Sequence, residues 1–176
     1  KLDPSDLLIG YRILGLEKII YSKVILNPRI GYNSNLVYDA NQPLIIDTLN
    51  KILSVKKGIW NVNKSVVLPK NYKFICDSNL RINLRNGSRI VFQGKVKLST
   101  SGSIQIESTD SSKCEIVINN TARTFFKNVL FNNVFISSTN SFENTFKDCL
   151  FMGSNTHYIE SEMSKFTFVN CTFFKK

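Results

Sequence analysis

The phrase FKNVLF at residues 126–131 returns as FKDCLF at 146–151 and as FVNCTF at 168–173. Within a β-strand, side chains alternate between faces, so residues on one face are an even number of positions apart. The apolar anchors Phe126, Val129 and Phe131 step by three and then by two. All three can enter one core only if the chain turns a corner between Phe126 and Val129. Asn128 suits that corner, because Asn tolerates the left-handed backbone region, and Asp148 and Asn170 occupy the same place in the later phrases. Each phrase therefore predicts two short strands meeting at a bend. A bend at 128, 148 and 170 recurs every 20 to 22 residues and implies stacked coils. Phe126, Phe146 and Phe168 then form one interior column, Val129, Cys149 and Cys171 a second, and Phe131, Phe151 and Phe173 a third. In such a solenoid each coil buries its apolar side against its neighbours.

The middle of the chain fits the same scheme. Residues 80–98, LRINLRNGSRIVFQGKVKL, alternate through Leu80, Ile82 and Leu84, turn at Asn86 and Gly87, and alternate again through Ile90 and Phe92. Gly94 marks a further bend before Val96 and Leu98, and Ile104, Ile106, Ile116 and Ile118 continue the short-strand pattern. The Asn86-Gly87 pair fits either a coil corner or an antiparallel hairpin.

The three phrases resemble the I/F-x-N-C/V-x-F pattern of right-handed parallel β-helix proteins of the pectate-lyase-like superfamily. The stretch GIWNVNKSVVLPKNYKFI at 58–75 is similar to the entry segment of such proteins, G-x-W-x-V followed by an apolar pair and Pro-x-Gly. Asn71 stands where that pattern has glycine, so the turn is expected to rely on another residue that tolerates the left-handed region. Across residues 58–174 the resemblance implies an all-β, right-handed parallel β-helix with an internal stack of corner Asn residues. It also implies a carbohydrate-associated role and an extracellular or cell-envelope location.

Residues 1–57 lack the repeat and read as an N-terminal segment or cap, with the coils occupying 58–176. Ile45, Ile46, Leu49, Ile52 and Leu53 fall at helical spacing, which predicts an amphipathic helix over 44–54, lying across the first coil. A strand through KILSV is the alternative. At the other end, Phe168, Cys171 and Phe173 complete the third phrase with only Phe174, Lys175 and Lys176 after it. The expectation there is an open coil on which further chain or a second polypeptide stacks.

A net charge of +10 favours polyanionic partners through long-range attraction, although abundant Lys can also serve solubility alone. Alternation places Arg81, Arg85, Arg89, Lys95 and Lys97 on the outside, and Lys127 and Lys147 take one outward place in successive phrases. The expected partner of this basic face is an anionic polysaccharide bound without catalysis. A lyase or hydrolase, and a structural or assembly module, are the alternatives. Weak candidates for acid–base chemistry are His157, Glu160 and Glu162, in a polar stretch holding the chain's single histidine. No P-loop, dinucleotide, GxSxG or HExxH pattern appears, so no cofactor is expected. Cys76, Cys114, Cys149 and Cys171 have no zinc spacing, and no metal site is expected. The four permit two disulfides in an exported protein, while the sharing of one column by Cys149, Cys171 and Val129 points to a small buried apolar position. Nucleic acid is disfavoured, since the core claims most Phe residues and leaves few stacking platforms outside. No apolar run is long enough to span a bilayer as a helix.

Overall fold

The computed structural model describes residues 8–12, 19–23, 43–109, 112–119, 123–153 and 159–175. Contacts divide the chain into two units, Lys1–Tyr32 and Asn33–Lys176. In the first, β1 (Leu8–Arg12) and β2 (Ile19–Lys23) pair antiparallel. The second is a parallel β-solenoid of three-sided coils, and no helix occurs among the described residues.

Coil 1 comprises β4 (Ile52–Val55), β5 (Gly58–Val62) and β6 (Val66–Leu68), and coil 2 comprises β7 (Lys73–Cys76), β8 (Leu80–Leu84) and β9 (Arg89–Phe92). In coils 3 and 4 one strand runs through the first corner and serves two sides. These are β10 (Val96–Ser108) with β11 (Glu115–Asn119), and β12 (Arg123–Asn132) with β13 (Phe135–Thr139). Coil 5 holds β14 (Glu143–Lys147), β15 (Leu150–Gly153) and β16 (Ile159–Glu162), while β17 (Phe166–Val169) and β18 (Thr172–Lys175) form two sides of a sixth. Face A stacks β4, β7, the first part of β10, the first part of β12, β14 and β17. Face B stacks β5, β8, the later parts of β10 and β12, β15 and β18. Face C stacks β6, β9, β11, β13 and β16. Every one of these pairings is parallel, as coils wound in one direction require.

The interior columns follow the repeated phrase. Phe126 and Phe146 stack with ring centroids 4.8 Å apart and planes 13° apart, and Phe131 and Phe151 stack at 5.0 Å and 9°. All four rings are fully buried. Such in-register stacking adds roughly 0.5–1.5 kcal/mol per pair beyond the area buried. The columns continue to Phe168 and Phe173, which pack on Phe146 and Phe151 yet stay 40% and 48% exposed on coil 6. Cys149 is buried beneath Val129 in the same column, and no disulfide joins the four cysteines. One polar knot interrupts the apolar interior. Asn144, fully buried, accepts from Thr124 Oγ1 at 2.9 Å and donates to the Oγ atoms of Ser138 at 3.1 Å and Ser141 at 2.6 Å. Its amide is thus fully partnered, as burial demands.

The corners are where the phrase placed them. Asn128, Asp148 and Asn170 have φ of 55°, 53° and 51° and turn the chain from face A to face B, Asn128 within β12 and the other two together with the Cys that follows each. The same corner takes residues 100–103 in coil 3, where the register between β10 and β12 shifts. Asn86 and Gly87, with φ of 56° and 65°, make a turn in which Ser88 N–H donates to Arg85 C=O at 2.9 Å. That turn is a coil corner, because β8 and β9 pair with other coils and not with each other.

Three expectations need correction. The helix over 44–54 is a hairpin: β3 (Leu44–Asp47) pairs antiparallel with β4 and closes the edge of face A. Asp47, well suited to a helix start, accepts from Leu49 N–H and Asn50 N–H and closes the loop, and Lys51 turns with φ 55°. Leu53 and Val55 point inward at a period of two, while Ile45 and Leu49, needed on a helix's buried side, are 47% and 92% exposed. The backbone edge of β7 offers β4 a ladder that a helix would forfeit. Second, the corner Asn stack is not internal. Asn170 Nδ2 does donate to Asp148 Oδ1 at 3.2 Å, but that bond is exposed, and Asn128 Nδ2 donates instead to Thr100 C=O at 2.9 Å. Third, no residue of the turn at 69–72 has positive φ, and Tyr72 N–H closes onto Pro69 C=O at 3.0 Å. Glycine is required opposite that turn, at Gly94, where a Cβ would stand 2.0 Å from Tyr72 C=O.

Candidate anion-binding face

Face A presents three outward columns. The central one runs Ser54, Ile75, Lys97, Phe125, Thr145 and Thr167 in register. Before it on each strand stand Lys73, Lys95, Arg123, Glu143 and Lys165; the backbone of Lys95 accepts from Phe74 N–H and that of Lys165 from Asn144 N–H, which fixes both in the ladder. After it stand Ser99, Lys127, Lys147 and Val169. These placements follow from alternation: Phe74, Leu98, Phe126 and Phe146 are buried, so their strand neighbours face out.

Neighbours within a column are about 4.8 Å apart across coils. At that distance two ammonium groups repel by roughly 1 kcal/mol in water. Little on the face offsets this. The two ion pairs among the described residues lie on the other faces: Arg81 with Glu107 on face B, where Nε to Oε1 is 2.7 Å, and Arg89 with Glu115 on face C at 3.1 Å. Among the described outward residues of β7, β10, β12 and β14 on this face there are five cations, Lys73, Lys97, Arg123, Lys127 and Lys147, with Lys95 one residue before β10, against the carboxylates of Glu143 and of exposed Asp77, one residue past β7. A shallow groove of about 340 Å³ crosses coils 2 to 5 here, lined by Lys73, Lys95, Lys97, Arg123, Phe125 and Glu143 among others. Arg123 also reaches over the exposed ring of Phe142, at 5.4 Å from its centroid.

Of the basic residues singled out in the sequence, Lys95, Lys97, Lys127 and Lys147 come together on face A, and Lys127 and Lys147 are register neighbours. Arg81 and Arg89 are ion-paired elsewhere, and Arg85, past the end of β8, donates from Nε to Thr109 Oγ1 at 3.1 Å. Glu160 and Glu162 stand exposed on β16, two positions apart on face C, and His157 lies outside the described residues. Lys73, Arg123 and Phe125 were missed. Their signal was present: Lys73 and Phe125 immediately precede a core Phe, as in YKF and TFF, and Arg123 stands one alternation before Phe125. Comparisons of the chain with models of protein families, with curated proteins and with solved structures find no match.

Proposed function

We propose that this β-solenoid is a carbohydrate-associated, non-catalytic module that binds an anionic polysaccharide along face A. The observation that carries the reading is the concentration of cations without carboxylate partners around one groove, while Arg81 and Arg89 on the other faces are neutralised. An extended polyanion relieves the repulsion along the two flanking columns, where Lys73, Lys95 and Arg123, and Lys127 and Lys147, are neighbours across coils. An extended polymer also matches a shallow groove whose lining comes from four successive coils.

Affinity for polygalacturonate and alginate is the test, measured by calorimetry at low and moderate salt with dextran as the neutral control. The expectation is binding of the acidic polymers alone, weakened as salt screens the columns. The double substitution Lys73→Gln, Lys95→Gln should lower affinity, whereas Arg81→Gln should leave it unchanged. Equal retention of dextran, or indifference to the lysine pair, would overturn the reading. Release of unsaturated products or new reducing ends from the acidic polymers would favour a lyase or a hydrolase in its place.

A further inference from the structure

Phe125 lines the groove on face A, half-buried and facing out. Ile75, two coils earlier in the same column, and Val169 also face out, but Phe125 is the one aromatic residue among the described outward positions of the three columns. Its four nearest outward neighbours form a cross. Arg123 and Lys127 stand two positions before and after it on β12, each about 6.6 Å away by strand rise. Lys97 stands on the preceding coil and Thr145 on the following one, both in register with it. A single aromatic ring is thus ringed by three cations and a hydroxyl. The cation–π contacts of the described residues use Tyr72, Phe135 and Phe142, and the ring pairs lie along the core, so the Phe125 ring is engaged by neither.

Exposed aromatic area between Lys, Arg and Thr side chains carries a hydration cost unless a ligand covers it. A polyanion read by charge alone has no use for it. The axial C–H face of a pyranose ring does: it stacks on an aromatic face, while the ring's acidic substituent and hydroxyls point outward in the plane, where Arg123, Lys127, Lys97 and Thr145 wait. We infer that Phe125 is the floor of a pyranose subsite, with Arg123 and Lys127 holding the acidic substituents, so that the ligand is an acidic sugar polymer of the uronate type and not a polyanion in general. This inference rests on face A being the binding face.

The full chain and its Phe125→Ala and Phe125→Trp variants decide the matter, with tetragalacturonate, polyglutamate and an oligothymidylate as probes. Since Phe125 faces out, both variants should keep the circular dichroism of the parent. Phe125→Ala should lose tetragalacturonate affinity by about tenfold, the scale of one aromatic contact, and keep polyglutamate affinity. Phe125→Trp should restore the sugar affinity. An unchanged tetragalacturonate affinity in Phe125→Ala would overturn the subsite while leaving the basic face standing. Equal losses for tetragalacturonate and polyglutamate would also overturn it, since the ring would then only shape the groove. Oligothymidylate binding with the same Phe125 dependence would reassign the platform to bases. Failure of the parent to bind any acidic polymer would overturn the face and the subsite together.

Discussion

At the scale of single residues, the corners were legible and the surface was half legible. An odd step between buried anchors forces a bend, and Asn or Asp at that bend marks positive φ, which is why Asn128, Asp148 and Asn170 could be placed before any coordinates. Lys73, Arg123 and Phe125 obey the same alternation, but attention to Phe as core material hid the one Phe of the TFF triplet that faces out. The corner argument yields a graded prediction. Asn128→Val should lower stability by about 2 kcal/mol, because a β-branched residue is strained at φ 55° and the bond from Nδ2 to Thr100 C=O is also lost. Asn170→Val should cost nearer 1 kcal/mol, its side-chain bond being exposed. Asn128→Gly tolerates φ 55° but lacks the amide, so it isolates the lost hydrogen bond and should fall between the parent and Asn128→Val, whose further loss is the backbone share. Urea denaturation of the three variants checks the order, and a neutral Asn128→Val would place the strain elsewhere.

At the scale of elements, strand positions were readable wherever one side faced the core and the other faced solvent, as in β8 with Leu80, Ile82 and Leu84 inward. The segment at 44–54 was not. Its apolar residues satisfy a period of 3.6 as well as one of 2, and local pattern cannot decide between them. The decision comes from outside the segment, in the unpaired edge of β7 to which β4 bonds. Gly94 is the same lesson in reverse. The sequence marked it as a bend, yet its real constraint is the carbonyl groups of Pro69, Lys70 and Tyr72 on the preceding coil, which leave no room for a Cβ. Gly94→Ala should therefore part coils 2 and 3 locally and destabilise the protein by on the order of 3 kcal/mol, the upper range for overpacking against atoms that cannot swing aside. Thermal melting reads this directly. A melting temperature within a degree of the parent would mean that the 69–72 turn yields more readily than its hydrogen bond at Tyr72 implies.

At the scale of the whole molecule, stability in a solenoid is a sum over coils and the contacts between neighbours. The described stack is uneven in this respect. Phe126 and Phe131 of coil 4 are covered on both sides and fully buried, whereas their equivalents in coil 6, Phe168 and Phe173, pack on coil 5 alone and keep 40% and 48% of their surface in solvent. Each buried Phe contributes roughly 1.5–3 kcal/mol and each half-exposed one a corresponding fraction, so opening β17 and β18 costs far less than opening β12. Amide hydrogen exchange should grade along the axis accordingly. The ladder amides of β17 and β18 should exchange first, those of β14 and β15 more slowly, and those of β10 and β12 at rates approaching global unfolding. Phe173→Ala should speed exchange in β18 and leave β10 unaffected, while Phe131→Ala should speed exchange throughout and lower stability by about 3–5 kcal/mol. Uniform protection from β10 to β18 would show that the coils open only together, and the picture of additive neighbours would then not describe this chain.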